Sequence, residues 1–244
     1  MRNFLYRAHR GGAYYTPENT MIAFKESLKQ GFAYIETDPC YTKDGVIVLH
    51  HDMTINRTCR NKDGSEIEQP LRLKDLTYAQ LMEYDAGIYK GEEFKGAKIP
   101  RLEELLALAE GKDVVIALDK KISTDNMEPL FDLVEKYHTK VCFSCEDTRR
   151  IREILARFPE AMIDYDGNTG EEELKEITDL VKPENLLVWL YMDKPNFAWL
   201  TDRHKASKKN CERVKRYARL GLANINNPYD MMEALVFEPD VVEV

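Results

Sequence analysis

The chain has 244 residues, 43% of them apolar, with 43 acids against 35 bases and a formal net charge of −8. That length suffices for a large buried core, and the apolar and aromatic content excludes a disordered chain. The acidic balance argues against broad electrostatic binding to nucleic acid or anionic lipid.

In chain order, short β-branched or aromatic runs alternate with longer amphipathic stretches. Phe4–Ala8 reads as a first strand, followed by a helix with Thr16 as N-cap, Pro17 at its first position and Gly31 at its C-cap. Tyr34–Asp38 and Val46–His50 are strands with no room between them for a crossover helix. Lys43-Asp44-Gly45 suits a hairpin turn, so the second of these strands returns antiparallel.

From Asp52 to Lys98 the chain is polar and turn-rich, with one short helix at most, Leu73 to Tyr84. Tyr84, Tyr89 and Phe94 read there either as wall or lid residues or as packing for the insertion itself. Helices over Arg101–Glu110, from Asp147 to Pro159, from the acids Glu171-Glu-Glu173, and from Asn227 onward separate the later strands. Those strands are Val114–Asp119, Lys140–Ser144, Ala161–Asp164, Leu186–Tyr191, Ala223–Asn226 and Val241–Val244. The basic run Arg203 to Arg219 carries Val214, Tyr217 and Ala218 as the buried stripe of an outer helix. With one strand returning, eight parallel strands remain. The expected fold is an α/β, TIM-type (β/α)8 barrel, one domain over residues 1–244 with an insertion at about 52–98.

Five cysteines spread over the chain do not form a disulfide scaffold, and Cys142-Phe-Ser-Cys145 lies in a strand, where core thiols are expected. The longest wholly apolar run, Leu186 to Met192, is far short of the ~20 residues of a spanning helix. No secretory h-region follows Met1, so a cytoplasmic location is expected.

Side chains two apart on a strand share a face, which pairs Glu36 with Asp38 and Asp119 with Lys121. His9 and Arg10 follow the first strand, and in a parallel barrel all these strand ends open on one mouth. A two-residue hairpin loop would place His51, rather than His50, on the face of the two carboxylates; a three-residue loop would reverse that parity unless a bulge restored it. Three carboxylates without cysteine suit Mg²⁺ or Ca²⁺, two histidines suit acid–base work, and Arg10 with Lys121 suits a phosphate. Together these parts describe metal-assisted phosphodiester cleavage. His138 and His204 have no carboxylate pair nearby and read as structural.

The first half of the chain resembles the glycerophosphodiester phosphodiesterase family. The matching blocks are His9-Arg-Gly11, Pro17-Glu-Asn-Thr20, Glu36-Thr-Asp38, Thr42-Lys-Asp-Gly45, His51-Asp52 with Arg57-Thr58, Ile99-Pro-Arg-Leu-Glu-Glu104 and Asp119-Lys-Lys121. The resemblance implies His9 and His51 as the catalytic pair, Arg10 and Lys121 on the substrate phosphate, and Glu36, Asp38 and Asp119 on a divalent metal. It implies hydrolysis of glycerophosphodiesters to glycerol 3-phosphate and an alcohol. Asp119 departs from the usual Glu, Ser144-Cys145 from Ser-Phe, Ala223-Asn-Ile-Asn226 from Trp-Thr-Val-Asn, and Glu243-Val244 from Thr-Asp.

The expected partner is a small-molecule glycerophosphodiester, with no nucleic acid and no stable membrane association; a homo-oligomer is left open. Rival readings are a lysophospholipase D or sphingomyelinase D-like enzyme of the same superfamily, or a silent barrel that binds a phosphorylated metabolite.

Overall fold

The computed structural model describes residues 4–192 and 201–244, so Met1 to Asn3, part of the start read for a leader, lie outside the described residues. The strands are β1 (Leu5–Ala8), β2 (Tyr34–Thr37), β3 (Pro39–Tyr41), β4 (Ile47–Leu49), β5 (Val115–Leu118), β6 (Lys140–Cys145), β7 (Met162–Tyr165), β8 (Leu186–Tyr191), β9 (Arg219–Ala223) and β10 (Val241–Glu243). The helices are α1 (Met21–Gln30), α2 (Tyr78–Leu81), α3 (Leu102–Ala109), α4 (Glu128–Glu135), α5 (Thr148–Arg157), α6 (Glu171–Thr178), α7 (Lys208–Lys215) and α8 (Pro228–Leu235). Eight strands close a barrel in the order β1-β10-β9-β8-β7-β6-β5-β2, while β3 and β4 form a separate antiparallel pair. The fold is a TIM-type barrel. Among the described residues no helix is long and apolar enough to cross a membrane.

Two compact units are distinguished, Met1–Arg7 with Val141–Val244, and Ala8–Lys140. In the first, β7, β8, β9 and β10 are parallel neighbours, and β10 also pairs with β1. Leu186 to Leu190 are all buried, as expected of a strand covered on both faces. Gly221 of β9 faces the Trp189 ring so closely that an added Cβ would lie 2.6 Å from it, which is why no larger residue fits there. Cys142 and Cys145 are buried in β6, and burial pushes both thiols well above their ordinary range, so the CxxC spacing belongs to the core.

In the second unit β2 pairs with β5, Glu36 lying beside Ala117 and Thr37 beside Leu118. Residues 52–98 gather around Ile55, Cys59, Leu73, Leu81 and Ala86, which pack with Val48 and Ile99. Tyr84 packs against that cluster. Phe94 instead lines a surface groove with Tyr15 and Ile22.

Most expected strands occur within one residue of their expected ends, and Asp147 and Asn227 cap α5 and α8 as read from the sequence. Four expectations are corrected. First, α1 begins at Met21, where the Thr20 side chain accepts from the Ala23 N–H, rather than at Pro17 after Thr16. Residues 16–19 form a turn instead, ending on Asn19 at φ 54°, a left-handed conformation that Asn tolerates and a helix does not. Second, the ninth strand is Arg219–Ala223 rather than Ala223–Asn226, because Asn224 at φ 67° leaves the ladder.

Third, the returning strand pairs with Pro39–Tyr41 and not with Tyr34–Asp38, whose hydrogen bonds go to β5. The register joins Tyr41 to Ile47, and Thr42 N–H donates to the Val46 carbonyl, leaving a three-residue turn, Lys43 to Gly45. The parity is therefore reversed: it is His50 whose N–H donates to the Asp38 carbonyl, at 2.9 Å. Fourth, Leu73 to Tyr84 is not one helix. It contains a 3₁₀ turn at Leu73–Asp75 and α2, which starts anew on a capping box of Thr77 and Gln80.

Candidate active site

All seven sequence-predicted site residues lie in the unit Ala8–Lys140. His9 opens a 3₁₀ turn directly after β1, and Arg10 within it adopts φ 50° and ψ 35°. That strained conformation turns the Arg10 N–H onto Glu36 Oε2 at 2.7 Å. The same carboxylate oxygen lies 4.0 Å from His9 Nε2, whose side chain is 44% exposed. Glu36 and Asp38 stand at the end of β2 and are buried. Asn19 Nδ2 donates to Asp38 Oδ2 at 2.7 Å, while Thr37 Oγ1 donates to Asn19 Oδ1 at 2.7 Å. The turn that replaces the expected helix start thus holds Asn19 against the strand end.

Charge alternates across this surface. Arg10 Nε is 3.7 Å from Asp38 Oδ2, and Lys121 Nζ lies 3.6 Å from Asp38 Oδ1 and 3.9 Å from Asp119 Oδ2. Asp119 is brought in by β5, its N–H donating to the Thr37 carbonyl at 2.9 Å. Glu36, Asp38 and Asp119 offer hard carboxylate oxygens and no thiol, the donor type that Mg²⁺ or Ca²⁺ takes, but among the described residues their oxygens do not gather as a set within 4.8 Å of one another. Cys40 nearby has its thiol pushed up to about 12 by burial, so it adds no thiolate. Arg10 Nε is buried and makes no hydrogen bond, facing Asp38 Oδ2 at ion-pair distance only.

His51 joins by another route. Its Nδ1 is 2.6 Å from Asp52 Oδ1. Burial raises the Asp52 pKa, but Arg57 and His51 outweigh it and hold the group below its ordinary range. An ionised carboxylate only accepts, so Nδ1 carries the proton in this pair and Nε2 is the acceptor nitrogen of the neutral ring. Arg57 binds Asp52 and also Glu18, and Glu18 in turn accepts from Arg10 NH1 at 2.9 Å. His50 is buried with its ring on the Thr54 carbonyl at 3.1 Å. His204 meets the Thr201 hydroxyl at 2.8 Å, and His138 donates its backbone N–H to Glu110; neither contact involves a predicted site residue.

Sequence reading gave no role to Glu18, Asn19, Asp52 or Arg57, and it did not foresee that Tyr89, read as a wall, lid or packing residue, accepts the Glu18 N–H on its hydroxyl. Those four were nonetheless visible as polar members of short ordered blocks, which was the available signal. Glu18 also makes a testable contribution to stability. Burial raises its pKa, but Arg57 and then Arg10 outweigh that and hold it at about 2 instead of 4.5. A depressed carboxylate stabilises the fold above its unfolded value and loses that contribution as pH falls through its folded value. Urea unfolding of wild type and Glu18→Gln should differ most at neutral pH and converge between pH 4.5 and about 2. A difference that does not vary with pH would show that the carboxylate charge plays no part.

A sequence profile of the glycerophosphoryl diester phosphodiesterase family matches residues 9–154, more than half of the chain. The chain belongs to that family. A glycerophosphodiester phosphodiesterase of Caldanaerobacter subterraneus is 40% identical over 114 residues, 47% of this chain and 44% of the relative. That alignment spans less than half the length of the curated relative it matches. Two solved structures extend the likeness in fold to nearly the whole of this chain. A glycerophosphoryl diester phosphodiesterase of Parabacteroides distasonis superposes with a TM-score of 0.75 at 24% identity, covering 99% of this chain and 82% of that one. An Oleispira antarctica phosphodiesterase, solved with the product sn-glycerol-3-phosphate, superposes at 0.77 with 18% identity, covering 98% and 92%.

Proposed function

We propose that the protein hydrolyses glycerophosphodiesters such as glycerophosphocholine to glycerol 3-phosphate and the free alcohol. The observation that carries the reading is Arg10, whose N–H holds Glu36 and whose guanidinium lies 3.7 Å from Asp38, at strand ends that also carry Lys121 beside Asp38 and Asp119, with two accessible histidines, His9 and His51. Family membership and the product-bound Oleispira phosphodiesterase support it.

The substrate phosphate is held by Arg10 and Lys121, which neutralise the charge that develops on its oxygens. One of His9 and His51 takes the proton from the attacking oxygen, and the other protonates the leaving alcohol. The attacker is the neighbouring glycerol hydroxyl: its oxygen bonds to phosphorus, the alcohol departs, and a cyclic phosphate remains. Water then opens that ring with the histidine roles reversed, giving glycerol 3-phosphate. A divalent cation held by Glu36, Asp38 and Asp119 would supply Lewis-acid neutralisation of a phosphoryl oxygen.

A coupled assay for glycerol 3-phosphate over a panel of diesters and metals tests this. Release is expected from glycerophosphocholine, with little turnover of lysophosphatidylcholine, and a chelator should abolish it until Mg²⁺ or Ca²⁺ is returned. Failure to release glycerol 3-phosphate from any diester under every metal would remove the proposal.

A further inference from the structure

The hairpin register sets His50, not His51, opposite Asp38, so something other than strand pairing must orient the His51 ring. Arg57 has the geometry to do so. Its Nε donates to Asp52 Oδ2 at 2.6 Å and its NH2 to Asp52 Oδ1 at 3.1 Å. Asp52 Oδ1 is the atom that receives His51 Nδ1. On its other side Arg57 NH2 donates to Glu18 Oε1 at 2.6 Å and NH1 to Glu18 Oε2 at 2.8 Å. Glu18 Oε1 also receives Arg10 NH1, so one guanidinium grips the carboxylate behind the histidine and the carboxylate behind the phosphate-binding arginine. Every nitrogen of the fork is used, a pattern that a lysine's single nitrogen cannot reproduce.

The backbone explains why Arg57 is there. Ile55 and Cys59 are fully buried in the core of the 52–98 segment, and the Cys59 N–H donates to the Ile55 carbonyl at 2.9 Å. Arg57 therefore sits on a tight turn pinned at both ends. The same segment supplies Tyr89, whose hydroxyl accepts the Glu18 N–H at 3.1 Å. Two separate points of the segment thus converge on Glu18.

We infer that Arg57 is a positioning residue that couples the two arms of the site, fixing the His51 ring through Asp52 and the Arg10 guanidinium through Glu18. The 52–98 segment serves as the platform that seats it. The inference builds on the phosphodiesterase reading above, but its structural part is measured without turnover.

The test uses the full chain with ¹⁵N-labelled histidine. In wild type at mildly alkaline pH, the two-bond ¹H–¹⁵N spectrum should show His51 as a single tautomer protonated at Nδ1. Arg57→Gln should show a mixture of tautomers, bind inorganic phosphate several-fold more weakly, and lose roughly 10–100-fold in kcat, the range for groups that orient a working side chain. Asp52→Asn should change the tautomer while leaving phosphate affinity in place, and Glu18→Gln should do the reverse. These two variants carry the test if Arg57→Gln does not fold. Arg57→Lys should recover only part of each readout. A folded Arg57→Gln protein with the wild-type tautomer and wild-type phosphate affinity overturns the inference, as does full recovery in Arg57→Lys. If wild type turns over no diester while Arg57→Gln still releases the tautomer, the catalytic reading fails and the positioning role stands.

Discussion

Replacing His51 by alanine is expected to lower glycerophosphocholine turnover roughly 10²–10⁴-fold, the usual contribution of a positioned acid–base group. In free energy that is about 2.7–5.5 kcal/mol of transition-state stabilisation. The fold should tolerate the change, because the His51 side chain is 32% exposed and its polar partner Asp52 keeps Arg57. His9→Ala should lose a similar amount; its ring is 44% exposed and stands 4.0 Å from Glu36. If both histidines act on one proton-transfer sequence, the double variant should be little worse than either single one. Steady-state kinetics beside thermal melts separates lost chemistry from lost fold. Near-normal turnover in either single variant would end the acid–base assignment.

The second large effect concerns stability and lies in the other unit. Arg7 donates to Asp164 and, through Nε at 2.6 Å, to Glu243, and its guanidinium lies 3.7 Å from the centre of the Trp189 ring. Trp189 Nε1–H also donates to Asp164. Asp164 is buried, and burial pushes its pKa up despite the arginine. Arg7→Met removes the cation these two acids share and leaves their charge in a medium that solvates it poorly. The expected cost is about 3–5 kcal/mol, or a fall in Tm of roughly 6–20 °C for a chain of this size. Removing the acids as well, as in Arg7→Met with Asp164→Asn and Glu243→Gln, should recover much of the loss, because the penalty belongs to unpaired charge. Urea denaturation of the three proteins reads both steps. A single variant within ~1 kcal/mol of wild type would show that the cluster contributes no more than an exposed ion pair.

The parts of the architecture legible in the sequence were those that depend on local pattern. Runs such as Val114–Leu118 and Leu186–Tyr191 are apolar throughout because a strand covered on both faces has no polar side to show. Asp147 and Asn227 could be read as caps because a short acceptor side chain before a helix satisfies orphan N–H groups wherever that helix lies. Thr16 misled for the same reason: it is as good a cap in isolation as Thr20, and only the contacts of Asn19 with Asp38 and Thr37 decide between them. The hairpin illustrates a further limit. Lys43-Asp44-Gly45 marks a turn, but whether two or three residues form it, and so which histidine faces the carboxylates, depends on how β3 and β4 pair.

Residue identity by itself determined the strand–helix alternation, the eight parallel strands and the set of side chains proposed for phosphodiester chemistry. These follow from side-chain periodicity, capping and donor type, all of which act over a few residues. Tertiary structure alone decided how His51 is oriented, that Asn19 buttresses Asp38, and that Glu18, Asp52 and Arg57 join the arms of the site. Such contacts link residues up to 39 positions apart, Arg57 to Glu18 being the longest of them. They form because burial makes an uncompensated charge expensive, and that condition exists only once the chain has closed around it.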